Sequence, residues 1–257
     1  MNIENSILCF FILHFLIYPA SNGYNSYFDK DEMSIGGLKN PPKVSGELYW
    51  VALILDGVAL ILSLNISYVF ALMVLVYGAI SKAYSHPKIR LKKYPILGWL
   101  AAGIFQGYFT YLMTIIAIAN LPWKTIWELK YQAPGFLATL LLLGSYPMTQ
   151  VYQHEEDGKR GDFTISRMLG IKGTFHFTAV VFGMAGMGFA LYFNRFFSWD
   201  TASLFLLFLT PVLVYFSFWY LRMRKHPKQV DYTSTMRLNL ISSVMLNAFF
   251  LYLWWLT

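Results

Sequence analysis

The sequence predicts an all-α protein, a polytopic membrane bundle of about eight transmembrane helices. Three observations predict it. The 257 residues are 57% hydrophobic and only 13% charged, whereas a soluble domain carries roughly 25% charged residues. Eight apolar segments, near 5–21, 47–64, 66–83, 96–119, 133–152, 173–194, 202–221 and 237–256, approach the ~20 residues that one bilayer crossing needs. The basic residues, finally, are divided very unevenly among the connections between those segments.

The elements follow in order. Segment 5–21 has no positive region ahead of it and carries Glu4 instead, so it reads as a retained helix and not as a cleaved leader. Its single His14 is expected to be packed and hydrogen-bonded, and Cys9, the only cysteine, excludes an intrachain disulfide or a cysteine-based metal site. Segments 47–64 and 66–83 are joined by almost nothing around Asn65, too tight a connection for the triplet Asn65-Ile66-Ser67 to signal glycosylation. Asp56 lies mid-span in the first of that pair and is expected to find a structural partner. The run Gly183–Gly188 lies inside a span, where small residues serve close helix packing. No repeat or low-complexity linker interrupts the chain, and residues 1–257 read as a single domain.

Odd-numbered connections hold seventeen of the twenty lysines and arginines, among them Lys82, Arg90, Lys92, Arg160 and Lys228, and even ones hold Lys124, Lys130 and Arg195. The positive-inside rule then places the odd connections in the cytoplasm, with both termini outside and the cell (inner) membrane as the expected location. Topology thus accounts for the net charge of +7, and no nucleic-acid partner is expected. The acids on that face include Asp29, Asp31, Glu32, Glu155, Glu156, Asp157 and Asp162.

Two stripes stand out there. Asn22, Asn25 and Asp29 are spaced i, i+3, i+7, so on a continuing helix they share one face, with Glu32 on it too. Gln153, Glu156, Asp157 and Arg160 repeat the pattern at i, i+3, i+4, i+7, with Glu155 facing away, if the helix runs on past the membrane. Oxygen donors with few carboxylates suit Mg²⁺, which completes its shell with substrate phosphates. A third connection, Ser81 to Pro95, is rich in Lys and Arg, whose heads suit phosphate oxygens or anionic lipid. Acids for a divalent cation and bases for a polyphosphate at the edge of a hydrocarbon interior point to a lipid diphosphate.

The same residues resemble the UbiA superfamily of intramembrane prenyltransferases. That family carries N-x-x-N-D-x-x-D-x-x-x-D after one helix, D-x-x-x-D-x-x-x-G after a later one, and a Tyr-Ser…Arg-Leu-Lys loop between. Asn22, Asn25 and Asp29 fall on the first motif, Asp157 and Gly161 on the second, and Tyr84, Ser85, Pro87, Arg90 and Lys92 on the loop. The resemblance implies a UbiA-like bundle that transfers a prenyl group from a prenyl diphosphate to a hydrophobic, aromatic acceptor with Mg²⁺. It implies catalytic roles for Asp29 and Asp157. Ion contacts are implied from Asn25, Asp29, Gln153 and Asp157, with Glu32 and Glu156 of the two stripes as substitutes for missing aspartates, and substrate contacts from Asn22, Tyr84, Arg90, Lys92 and, on the second stripe, Arg160.

The departures are specific. Ser26, Met33 and Gln153 stand where the family has aspartates, and fewer anionic ligands bind Mg²⁺ more weakly. They make a catalytically impaired, lipid-binding or assembly relative the alternative. A transporter, allowed by Asp56 and the helix number, would show internal inverted repeats, and none are seen. The family has nine helices, with its first motif after the second; here one precedes it, so the first family helix is expected to be missing or encoded upstream of Met1.

Overall fold

A computed structural model describes residues 2–119, 121–226 and 230–256, which leaves Lys228 outside the described residues. The chain forms α1 Ile3–Asp29, α2 Glu47–Ser63, α3 Tyr68–Ser85, α4 Pro95–Ile118, α5 Leu129–Ser145, a short α6 His154–Lys159, α7 Ile165–Phe196, α8 Trp199–Lys225 and α9 Tyr232–Leu256. No strand is present among the described residues.

Local chemistry sets the ends. Asn2 caps α1 by accepting the Asn5 N–H (3.1 Å), and Ser67 caps α3 by accepting that of Phe70 (3.1 Å). α1 stops where Lys30 enters the left-handed region at φ +50°. α1 and α4 each contain a widened turn, Ile12–Ile17 and Phe105–Phe109. Such turns cluster at functional sites.

Among the described residues, six helices (α1, α3, α4, α7, α8 and α9) are long and apolar enough to cross a membrane. The count of eight crossings is not confirmed. Helices α2 and α5 have 17 residues each, about 25 Å of helix against a hydrocarbon core of ~30 Å. α2 ends in the tight turn to Tyr68, and α5 tightens into a 3₁₀ turn at Tyr146–Thr149 around Pro147. The second stripe therefore does not ride a helix that continues from the membrane. It sits on α6, a separate helix with Gln153 immediately ahead of it.

Two apolar cores form. Ile12, Leu16, Phe70, Val74 and Met113 join α1 to α3 and α4. Phe175, Phe193, Phe205, Trp219 and Phe249 join α7, α8 and α9. Asp56 pairs with Lys82 of α3, which also lies over the Tyr24 ring at 5.2 Å. His14 packs against the rings of Phe10 and Tyr18 but lies exposed. In the glycine run a side chain at Gly188 would collide with Leu137 and one at Gly186 would press on Leu209, while Gly183 faces open space. The polar connections after α1, α3 and α5 meet at one end of the bundle.

Candidate functional site

At that end lies a cavity of about 640 Å³. One wall is the last turns of α1, which present Asn22, Asn25, Ser26 and Asp29 on one face, as their spacing predicts. The opposite wall is Thr149, Gln150, Gln153, Asp157, Arg160 and Asp162. Tyr84, Tyr146 and Lys92 close the inner side. A second cavity of about 240 Å³ adjoins it inside the bundle, between Tyr77, Ser81, Phe105 and Gln106. The two share Asn22, Asn25, Tyr84 and Tyr146, and the two tyrosine hydroxyls are hydrogen-bonded to each other.

Acids and bases interlock. The buried Lys92 ammonium donates to Asn25 Oδ1 (3.0 Å) and to both oxygens of Asp29. Asn25 Oδ1 is held in turn by Ser85 Oγ (2.7 Å). Arg90 forks onto Asp162 with two bonds of 2.8 Å and reaches Asp29 at 3.4 Å. Arg160 donates to Asp31 and to Asp157 Oδ1 (2.9 Å), while Thr164 donates to Asp157 Oδ2 (3.3 Å). Burial pushes the Asp157 carboxyl up to about 7, and the negative charge of Asp162 adds to the shift. Burial pushes the Lys92 ammonium down, against the pull of Asp29.

Gly161 makes the second wall possible. Its φ of +76° suits glycine and turns the chain so that the Asp162 N–H meets the Asp157 carbonyl (2.9 Å). That hairpin aims Asp157 and Asp162 into the same space.

Of the residues singled out in the sequence, Asn22, Asn25, Asp29, Tyr84, Lys92, Gln153, Asp157 and Arg160 line the cavity. Arg90 stands behind the wall on Asp162. Glu32 and Glu156 do not share the stripes. α1 has ended before Glu32, and Glu156 Oε1 accepts the backbone N–H groups of Glu32 (3.0 Å) and Met33 (3.4 Å), pinning the first loop over the cavity. Glu155 points away and pairs with Lys159 (2.9 Å). Sequence reasoning passed over Asp31, which Lys30's left-handed turn brings back to Arg160, and Asp162. The second had a signal: it directly follows the motif glycine.

The fit to Mg²⁺ differs between the walls. No group of three His, Cys, Asp or Glu is placed to hold a metal ion among the described residues. On the α6 wall, Gln153 gives its amide N–H to Ser34 (3.1 Å), which leaves its oxygen available beside the Asp157 carboxylate. One carboxylate, one amide oxygen and substrate phosphates suit one Mg²⁺. Asp157 takes one guanidinium bond on Oδ1 and one hydroxyl bond on Oδ2, whereas both Asp29 oxygens lie on the Lys92 ammonium and one also on Arg90, and a metal ion does not fit that arrangement.

No curated protein matches the chain. A solved structure described as giving "structural and mechanistic insights into the biosynthesis of digeranylgeranylglyceryl phosphate synthase in membranes" shares its fold. The TM-score is 0.61 at 20% identity, over 97% of this chain and 85% of the other. The UbiA prenyltransferase family matches residues 3–255, which take in both walls of the cavity and every spanning helix. The protein belongs to the UbiA prenyltransferase family.

Proposed function

We propose that the protein transfers a prenyl group from a prenyl diphosphate to a hydrophobic, aromatic acceptor, at the cytoplasmic face of the cell membrane. The carrying observation is a pair of adjoining cavities: a charged chamber between α1 and α6 and a smaller chamber inside the bundle, with Tyr84 and Tyr146 as their shared wall. A diphosphate head suits the first. The second has room for the reacting end of an apolar chain and its acceptor.

The residues supply the chemistry in sequence. Lys92 and Arg160 face the diphosphate and hold its oxygens by charge-assisted hydrogen bonds. Asp157 and Gln153 would hold Mg²⁺ together with the phosphates, and the ion would supply positive charge against the negative charge that grows on the leaving group. The allylic C–O bond breaks, and its electron pair leaves with the diphosphate. The aromatic faces of Tyr84 and Tyr146 sit beside the carbon left behind, and Tyr77 and Phe105 add further rings around it. The acceptor ring gives an electron pair to that carbon, forming the new bond, and loses a ring proton to the diphosphate or to water.

Membranes containing the protein, given labelled prenyl diphosphates of graded chain length, a panel of aromatic acceptors and Mg²⁺, should yield labelled lipid product. Asp157→Ala should lower the yield by roughly a hundredfold or more. Ser26, Met33 and Gln153, standing where the family has carboxylates, favour a second reading, a lipid-binding or assembly protein without turnover. Binding of prenyl diphosphate with no product from any acceptor would establish it.

A further inference from the structure

We propose that the Lys92 ammonium is the built-in cation of the α1 wall, standing where a metal ion would otherwise bridge that wall to substrate, so that a prenyl diphosphate binds with no more than one divalent ion. This rests on the diphosphate reading above and concerns how the head group is neutralised.

Four observations carry it. Ser26 and Met33 leave Asp29 as the single carboxylate of the first stripe. Both Asp29 oxygens receive Lys92, and one also receives Arg90. Lys92 is held there by its backbone as well as its head. Arg90 adopts the left-handed region (φ +45°), the 3₁₀ turn Leu91–Lys93 follows, and the turn is pressed onto the start of α4. The approach is so close that a Cβ at Gly98 would lie 2.8 Å from Lys92 Cα. Asp29 also stands against two fixed cations, Lys92 and Arg90, and Arg160 reaches Asp162 at 3.6 Å, so the three bases outnumber Asp29 and Asp162 and a divalent ion at Asp29 would meet their repulsion. On the other wall Arg160 takes only Asp157 Oδ1 (2.9 Å) and a neutral hydroxyl, Thr164, takes Oδ2 (3.3 Å), so an ion there meets one fixed cation and gains the Gln153 oxygen.

An ammonium differs from a metal ion in a measurable way, because chelation does not remove it. The test uses the full-length purified protein, Mn²⁺ and farnesyl S-thiolodiphosphate, an analogue that resists transfer. Protein-bound Mn²⁺ is counted by electron paramagnetic resonance after equilibrium dialysis, and analogue binding is measured separately with and without EDTA. The expected result is no more than one Mn²⁺ per chain, the same count in Asp29→Asn, and a loss of bound Mn²⁺ in Asp157→Asn. In EDTA the wild type should still bind the analogue, Lys92→Met should bind it roughly tenfold more weakly, and Lys92→Arg should stay near the wild type. Two Mn²⁺ per chain in the wild type, a lowered count in Asp29→Asn, or EDTA affinity unchanged in Lys92→Met would each overturn the assignment. Those outcomes leave the diphosphate reading standing. Failure of the analogue to bind under any condition removes that reading and the assignment together.

Discussion

Arg160 is the residue on which the α6 wall turns. Its guanidinium holds Asp31 from the first loop and Asp157 from its own helix, and it lines the cavity. Arg160→Ala should raise KM for prenyl diphosphate by an order of magnitude or more. Arg160→Lys should recover only part of that, since a point charge cannot fork across two acids. Asp157 gives a pH signature in the metal-free protein. Its folded pKa, about 7, lies above its ordinary value of 3.8. Its contribution to stability is therefore greatest below pH 4 and is lost as pH rises through 7. Thermal melts in EDTA should show the wild type losing stability across that window and Asp157→Asn losing less. An Asp157→Asn curve parallel to the wild type would contradict the buried, charge-opposed carboxyl. A site that stabilises substrate at some expense to the empty fold is what functional residues often show.

At the scale of elements, the first stripe was legible because an α-helix fixes which residues share a face, and α1 does continue through Asp29. The second stripe's residues were legible but not its element, because i, i+3, i+4, i+7 spacing fits a separate six-residue helix as well as a continuing one. Pro147 was the cue that α5 would end early. Glu32 and Glu156 were misplaced for one reason. Where a helix stops, periodicity stops informing, and a carboxylate can turn to capture loop N–H groups instead. Glu156→Gln should therefore loosen the loop over the cavity, leaving kcat within about twofold and raising KM severalfold, with faster hydrogen exchange at Glu32 and Met33. Gly161→Ala should cost about 1 kcal/mol or more, because its φ is positive, and should lower diphosphate affinity by disturbing Asp157 and Asp162. Unchanged affinity would show that the hairpin merely connects α6 to α7.

Over the whole molecule, composition and basic-residue distribution disclosed the bundle, and two features lay beyond them. The lengths of α2 and α5 depend on where turns tighten, which hydropathy does not register. The pairing of Asp56 with Lys82 depends on which helices become neighbours. That pair ties α2 to α3 at the cavity's flank. Asp56→Leu alone should destabilise the fold by about 3 kcal/mol, and adding Lys82→Met should recover most of the loss while prenyl transfer persists. The cavity joins these scales, since α1 contributes one wall and the segment around α6 the other. The central claim is that both walls grip one diphosphate with its chain running inward. An experimental structure with farnesyl S-thiolodiphosphate and Mg²⁺ tests it most directly. The phosphates should lie between Lys92 and Arg160, with the chain passing Tyr84 and Tyr146 toward Gln106. Phosphates bound away from those two residues, or a chain directed out of the bundle, would contradict it.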